Sequence, residues 1–182
     1  MNLRAMAVHI PPVHGHPNRV PFEGILATVN APSDRAPSGA RGHRVLLTGE
    51  AAEQALPSLL GMAVDYRPDW DGHDNRRKIG ILTEATIRGN NLLVRGYLYA
   101  RDFPDVAKAI QAHAPTALGM SYEIADAKVE DMSAQIWRLT KVTFTGAAIL
   151  LRDKAAYSST RFRMTETQPS AFSHQLAASS PS

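Results

Sequence analysis

The sequence contains no cysteine, which excludes disulfides, a thiolate zinc site and a cysteine nucleophile. It also lacks any apolar run approaching the roughly 20 residues that a membrane-spanning helix needs. Its opening, Met1 to Met6, leads into His and Pro instead of a hydrophobic signal core. These absences lead to the expectation of a soluble, intracellular protein. Charge of one sign is nowhere concentrated: 20 basic and 17 acidic residues are scattered along the chain and leave +3. That pattern lacks the electrostatic footprint of a nucleic-acid binder. Gly89, Gly96 and Gly119 form no phosphate-cradling fingerprint. Hydroxyl chemistry is left open.

What is present suffices for one compact domain. Of 182 residues 44% are hydrophobic and 20% charged, enough for a core of roughly 130 to 150 residues plus ends. Residues 1–20, with Pro11, Pro12 and Pro17 and no sustained period, read as an irregular N-terminal arm. Strands are expected at 22–29, 44–47, 61–66, 78–87, 92–100, 117–129 and 135–151. Residues 88–91 (RGNN) join the fourth and fifth of these as a hairpin. Helices are expected at 50–60, shortened or kinked by Pro57, and at 102–113, with Pro104 in the tolerated first turn. This order predicts a β-rich α+β fold, a small closed or partly closed β-barrel with two or more flanking helices. The domain is expected at 21–157. Residues 158–182, mostly Ser, Thr, Ala, Gln and Pro, read as a disordered tail.

Two residues stand out for chemistry. His73 lies in a polar loop, 67–75 (RPDWDGHDN), between Asp71 and Asp74, where neighbouring carboxylates could stabilise an imidazolium and orient the ring, as a general base requires. Ser121 follows Gly119 and Met120 near the start of a strand, where the glycine would permit a tight turn and close approach of a substrate chain. Each motif alone is weak, and the ordinary alternatives are a solvated loop histidine and a strand-end serine. No metal and no cofactor is expected. His9, His14 and His16 match no standard ligand spacing. Asp65, Asp69, Asp71 and Asp74 meet a calcium-loop pattern only partly, with Gly80 where its closing Glu would stand.

The order of these pieces resembles the prohead (capsid maturation) serine proteases of tailed phages, distant relatives in fold of the herpesvirus assemblins. Gly72-His73-Asp74 followed by Lys78-Ile79-Gly80 resembles the family's histidine loop and the strand after it. Leu118-Gly119-Met120-Ser121-Tyr122-Glu123 resembles its serine strand. Residues 139–148 (LTKVTFTGAA) resemble its closing strand, and Lys154-Ala155-Ala156-Tyr157 the alanine-containing segment after it. The resemblance implies an assemblin-like barrel with Ser121 as nucleophile and His73 as general base. The implied substrates are the major capsid protein, the scaffold and the protease's own termini; the tail, by its small-residue, Pro-containing composition, could be an autocleavage substrate or a tether to scaffold. The implied setting is the assembling prohead in the host cytoplasm, with no nucleic acid required, no membrane, and room for a homodimer. In many relatives the closing strand carries a glutamate that orients the histidine. Here Lys141 is read in that place, and a lysine cannot accept a hydrogen bond from an imidazole. The third member is then Glu123, Asp74 or Thr143, with Glu123 on the same strand face as Ser121, or the pair acts as a dyad. Arg152 is a candidate for fixing an oxyanion-stabilising loop. Two other readings stay open: a catalytically inactive protease-fold protein associated with capsid or scaffold, and an unrelated β-rich binding module.

Overall fold

The structure, a computed structural model, describes residues 18–165. The histidines of the N-terminal arm and most of the expected tail, with its autocleavage, lie outside the described residues. Eight strands and two helices follow in the order β1 (Arg19–Thr28), β2 (Arg44–Leu47), α1 (Gly49–Ala55), β3 (Ala63–Tyr66), β4 (Lys78–Arg88), β5 (Asn91–Tyr99), α2 (Pro104–Ala112), β6 (Leu118–Val129), β7 (Ile136–Leu151) and β8 (Arg161–Met164). β1 starts two residues inside the stretch expected to be an irregular arm. β8 is a larger departure, a strand within residues expected to be tail.

Local chemistry explains the boundaries. Thr48 caps α1, its side chain accepting a hydrogen bond from the Ala51 amide at 3.2 Å, and Glu50 sits in the first turn. Pro57 then converts the expected long helix into a 3-10 turn at Leu56–Leu59, because its ring cannot continue the α pattern. Pro104 opens α2 as expected. Gly89, at φ +57°, makes the tight β4–β5 turn.

All the strands form one sheet, running β2-β7-β3-β4-β5-β1-β8, with β6 also paired to β7. β3 and β6 pair with the same stretch of β7, Ala147 to Ile149, and so lie on its two edges. Register shifts interrupt β1 after Ile25, β3 after Val64, β4 after Leu82 and β6 after Glu123. Such bulges bend strands and increase their twist, and here they curl the sheet into a half-barrel flanked by the two helices. No ladder joins β6 to β8 among the described residues, so the pairing does not give a closed barrel. The inner face carries Phe22, Leu26, Leu47, Val64, Ile79, Leu82, Met120, Phe144 and Ile149, all buried, each worth about 1.5–3 kcal/mol of transfer free energy.

Candidate active site

Alternation along β3, β6 and β7 decides which side chains leave the core. Val64, Ala147 and Met120 belong to the buried cluster, so their neighbours Asp65, Ala148 and Ser121 occupy the opposite face. Ser121 pairs with Ala148, and Ala148 pairs on its other edge with Asp65. Directly paired residues share a face, and the three therefore form one row across three strands. Glu123, two residues beyond Ser121, shares that face and pairs with Gly146.

The loop between β3 and β4 folds over this row and brings His73 to it. The ring is 16% exposed, with Nδ1 3.6 Å from Asp65 Oδ1 and 3.9 Å from Glu123 Oε1. A ring that lies within 4 Å of acids from both β3 and β6 sits above the strand between them. There β7 offers only Gly146 and Ala148, which leave room for it. A Cβ on Gly146 would come within 2.7 Å of Glu123 Oε2, so the bare glycine lets that carboxylate lean across β7. Both ring nitrogens of His73 are buried and, among the described residues, without a hydrogen-bond partner.

Asp65 is the fully buried acid of the group. Its Oδ1 accepts the Asp74 amide at 3.1 Å, and its Oδ2 accepts Lys78 Nζ at 3.0 Å. Burial by itself pushes the Asp65 carboxyl up, but His73 and Lys78 beside it outweigh that and hold it below the ordinary carboxylate range. The loop is fastened at three further points. Arg67 donates to the His73 carbonyl at 3.0 Å. Trp70 is buried at φ +55° against Tyr66 and His113, and its carbonyl accepts the Leu151 amide at 2.7 Å.

Several expectations change on this geometry. Asp71 and Asp74, the acids next to His73 in sequence, turn to arginines instead: Asp71 to Arg67 at 3.4 Å, Asp74 to Arg76 and Arg77 at 3.3 and 3.2 Å. Thr143 pairs with Ala125, beyond the bulge that follows Glu123. Lys141 pairs with Lys128 and lines a concavity beside α1 with Gln54 and Ser58. At roughly 3.3 Å per residue it lies about 23 Å along β7 from Ala148, so it does not stand where the orienting acid was expected. Gly119 is not in a turn: it is buried within β6, and a Cβ there would meet Thr160 Oγ1 at 2.4 Å and the Arg152 Cα at 3.2 Å. Close packing, not an approaching substrate, accounts for that glycine. Arg152 does lie beside the serine strand, its amide donating to the Ala117 carbonyl at 2.8 Å.

Asp65 is the residue that sequence reading missed as a site member. The signal was a carboxylate in the middle of an apolar strand, MAVDY, because an acid in such a place is almost never buried without a partner. A separate cavity of about 490 Å³, bordered by Glu23, Arg95, Arg163 and others on β1, β4, β5 and β8, includes neither His73 nor Ser121. Among the described residues no group of His, Asp and Glu is placed to hold a metal ion, and no helix is long and apolar enough to cross a membrane.

No family model matches the sequence, and no curated protein matches it. Among solved structures, the chain is similar to the capsid assembly protease of bacteriophage T4, with 15% identity and a TM-score of 0.48 over 70% of this chain and 80% of that one.

Proposed function

We propose that the protein is a serine endopeptidase of phage head maturation, with Ser121 as nucleophile, His73 as general base and Asp65 as the acid that orients His73. The observation that carries this reading is the histidine: an imidazole whose buried nitrogens make no hydrogen bond among the described residues, facing a buried aspartate whose strand row ends in a serine. Both acids lie toward Nδ1. A proton on Nδ1 leaves Nε2 with a lone pair, the tautomer a base needs. His73 Nε2 takes the Ser121 proton as Oγ attacks the scissile carbonyl, and returns it to the leaving amine. Water then resolves the acyl-enzyme by the same route in reverse roles. Backbone amides around Ser121 hold the oxyanion. Ser121 and His73 are not hydrogen-bonded to each other, and a nucleophile–base bond commonly tightens only in the Michaelis complex.

The sequence resemblance directs the substrate class, scaffold and capsid-protein segments, the tail of this chain among them. Incubation with the major capsid protein and scaffold tests it: wild type yields discrete fragments, while Ser121→Ala yields none and keeps the wild-type unfolding midpoint. A fluorophosphonate probe that labels wild type but not Ser121→Ala identifies the nucleophile. Equal processing by Ser121→Ala rules out the serine mechanism. Absence of both cleavage and labelling in wild type leaves the inactive protease-fold protein as the reading.

A further inference from the structure

We infer that Lys78 is a positioning residue for His73, acting through Asp65 and placed by a β-bulge; the inference rests on the catalytic reading above. In a regular β3–β4 ladder, with Val64 opposite Gly80, Asp65 would face Ile79, a buried core residue. The register shifts after Val64 instead, and Asp65 pairs with Lys78. Bulges re-aim side chains in this way, and this one brings the ammonium to Asp65 Oδ2 at 3.0 Å.

The two oxygens of Asp65 are thereby divided. Oδ2 is held by Lys78, while Oδ1 is held by the Asp74 amide and presented to His73. With Lys78 removed, the carboxylate is free to rotate away from the ring, and burial is opposed only by His73 and one amide. Without the ammonium, proton uptake by Asp65 and by the Asp65–His73 pair as a whole becomes easier, so the form with an ionised acid and a neutral base is populated only at higher pH. The other groups around the ring cannot replace Lys78. Glu123 of β6 carries the same sign as Asp65, β7 contributes the uncharged Gly146 and Ala148, Arg67 is spent on the His73 carbonyl, and Asp74 is engaged by Arg76 and Arg77.

The test uses the full chain and two readouts. The first is the carbon-13 side-chain carboxyl titration of Asp65, identified by its loss in Asp65→Asn, which needs no catalysis. In Lys78→Gln it moves to higher pH, and in Lys78→Arg it returns toward wild type. The second is the pH profile of kcat/KM on a capsid-protein peptide. The acid limb moves to higher pH in Lys78→Gln, giving about three- to tenfold less activity near pH 6 and a smaller difference near pH 8.5. Lys78→Met serves as a second neutral variant if Lys78→Gln does not fold. An unchanged Asp65 titration, or a thermal shift with no movement of the acid limb, overturns the inference and reduces Lys78 to an ordinary ion pair. A wild type without peptidase activity counts against the catalytic reading, and the carboxyl titration still decides whether Lys78 controls Asp65.

Discussion

Two carboxylates compete for one imidazole nitrogen, and their settings differ enough to rank them. Asp65 is fully buried and held by two donors, whereas Glu123 is 51% exposed and reaches His73 only by leaning over Gly146. A group fixed by packing orients a ring better than one that samples solvent. Asp65→Asn is therefore expected to lower kcat on a peptide substrate by about 10³- to 10⁴-fold, and Glu123→Gln by less than about tenfold. Steady-state kinetics of the two variants check this, and a larger loss in Glu123→Gln reverses the ranking. Asp65→Asn also leaves Lys78 without its carboxylate. Because Lys78 is 38% exposed and keeps part of its hydration, a stability loss of about 1–3 kcal/mol is expected, below the figure for a wholly buried pair. His73 and Ser121 could be named as candidates because a polar loop and a strand start are visible in sequence, although each motif alone is weak and the order of the segments carried the reading. Asp65 was not legible as one, because it joins the candidate site only through the pairing of β3 with β7, and its local signal, an acid within MAVDY, points to a buried carboxylate without saying what it faces.

At the scale of elements, the site rests on three short runs whose contacts come from different parts of the chain. The β4–β5 hairpin could be read from its turn residues, and the shortened α1 from Pro57. β8 could not: Arg161–Met164 supplies one buried apolar side chain, Phe162, which packs tilted against Phe22 at a centroid distance of 5.1 Å. Four residues with two hydrophobes, Phe162 and Met164, carry too little periodicity to separate from a polar tail. The two glycines near the site make an opposed pair of predictions. A methyl at Gly119 would strike Thr160, which is fully buried, and the Arg152 backbone. Gly119→Ala is expected to cost about 1–3 kcal/mol. At Gly146 the methyl meets the movable end of the exposed Glu123 side chain and its Cβ at 3.3 Å. Gly146→Ala is expected to cost less than Gly119→Ala, and to displace Glu123 from His73. Denaturant unfolding of both variants compares them; a larger loss for Gly146→Ala would mean that Glu123 is fixed, and would restore it as a rival to Asp65.

For the whole molecule, the open side of the sheet is where acid should act first. Asp34, in the loop after β1, accepts the Ser158 amide at 2.7 Å and its hydroxyl at 2.9 Å, fastening the segment that leads into β8. Those two bonds from Ser158, opposed by burial and aided by Arg44 and Arg35, hold the Asp34 carboxyl below its usual range. Asp65 is lowered as well. For a carboxyl lowered by folding, the unfolded chain binds the proton first. The stabilisation is complete above the unfolded value near about pH 4, and is lost as pH falls through the folded value. Among the described residues β8 pairs with β1 alone, over four residues, while β7 is held by β2, β3 and β6. Loss of the Asp34 anchor therefore reaches β8 well before it reaches the centre of the sheet. Hydrogen exchange below about pH 4 should show the amides of Arg161 to Met164 losing protection while those of Ala147 to Ile149 keep it. Asp34→Asn should loosen the same four amides at neutral pH. If β8 and β7 lose protection together in acid, the sheet opens as one unit and Asp34 is not its first latch.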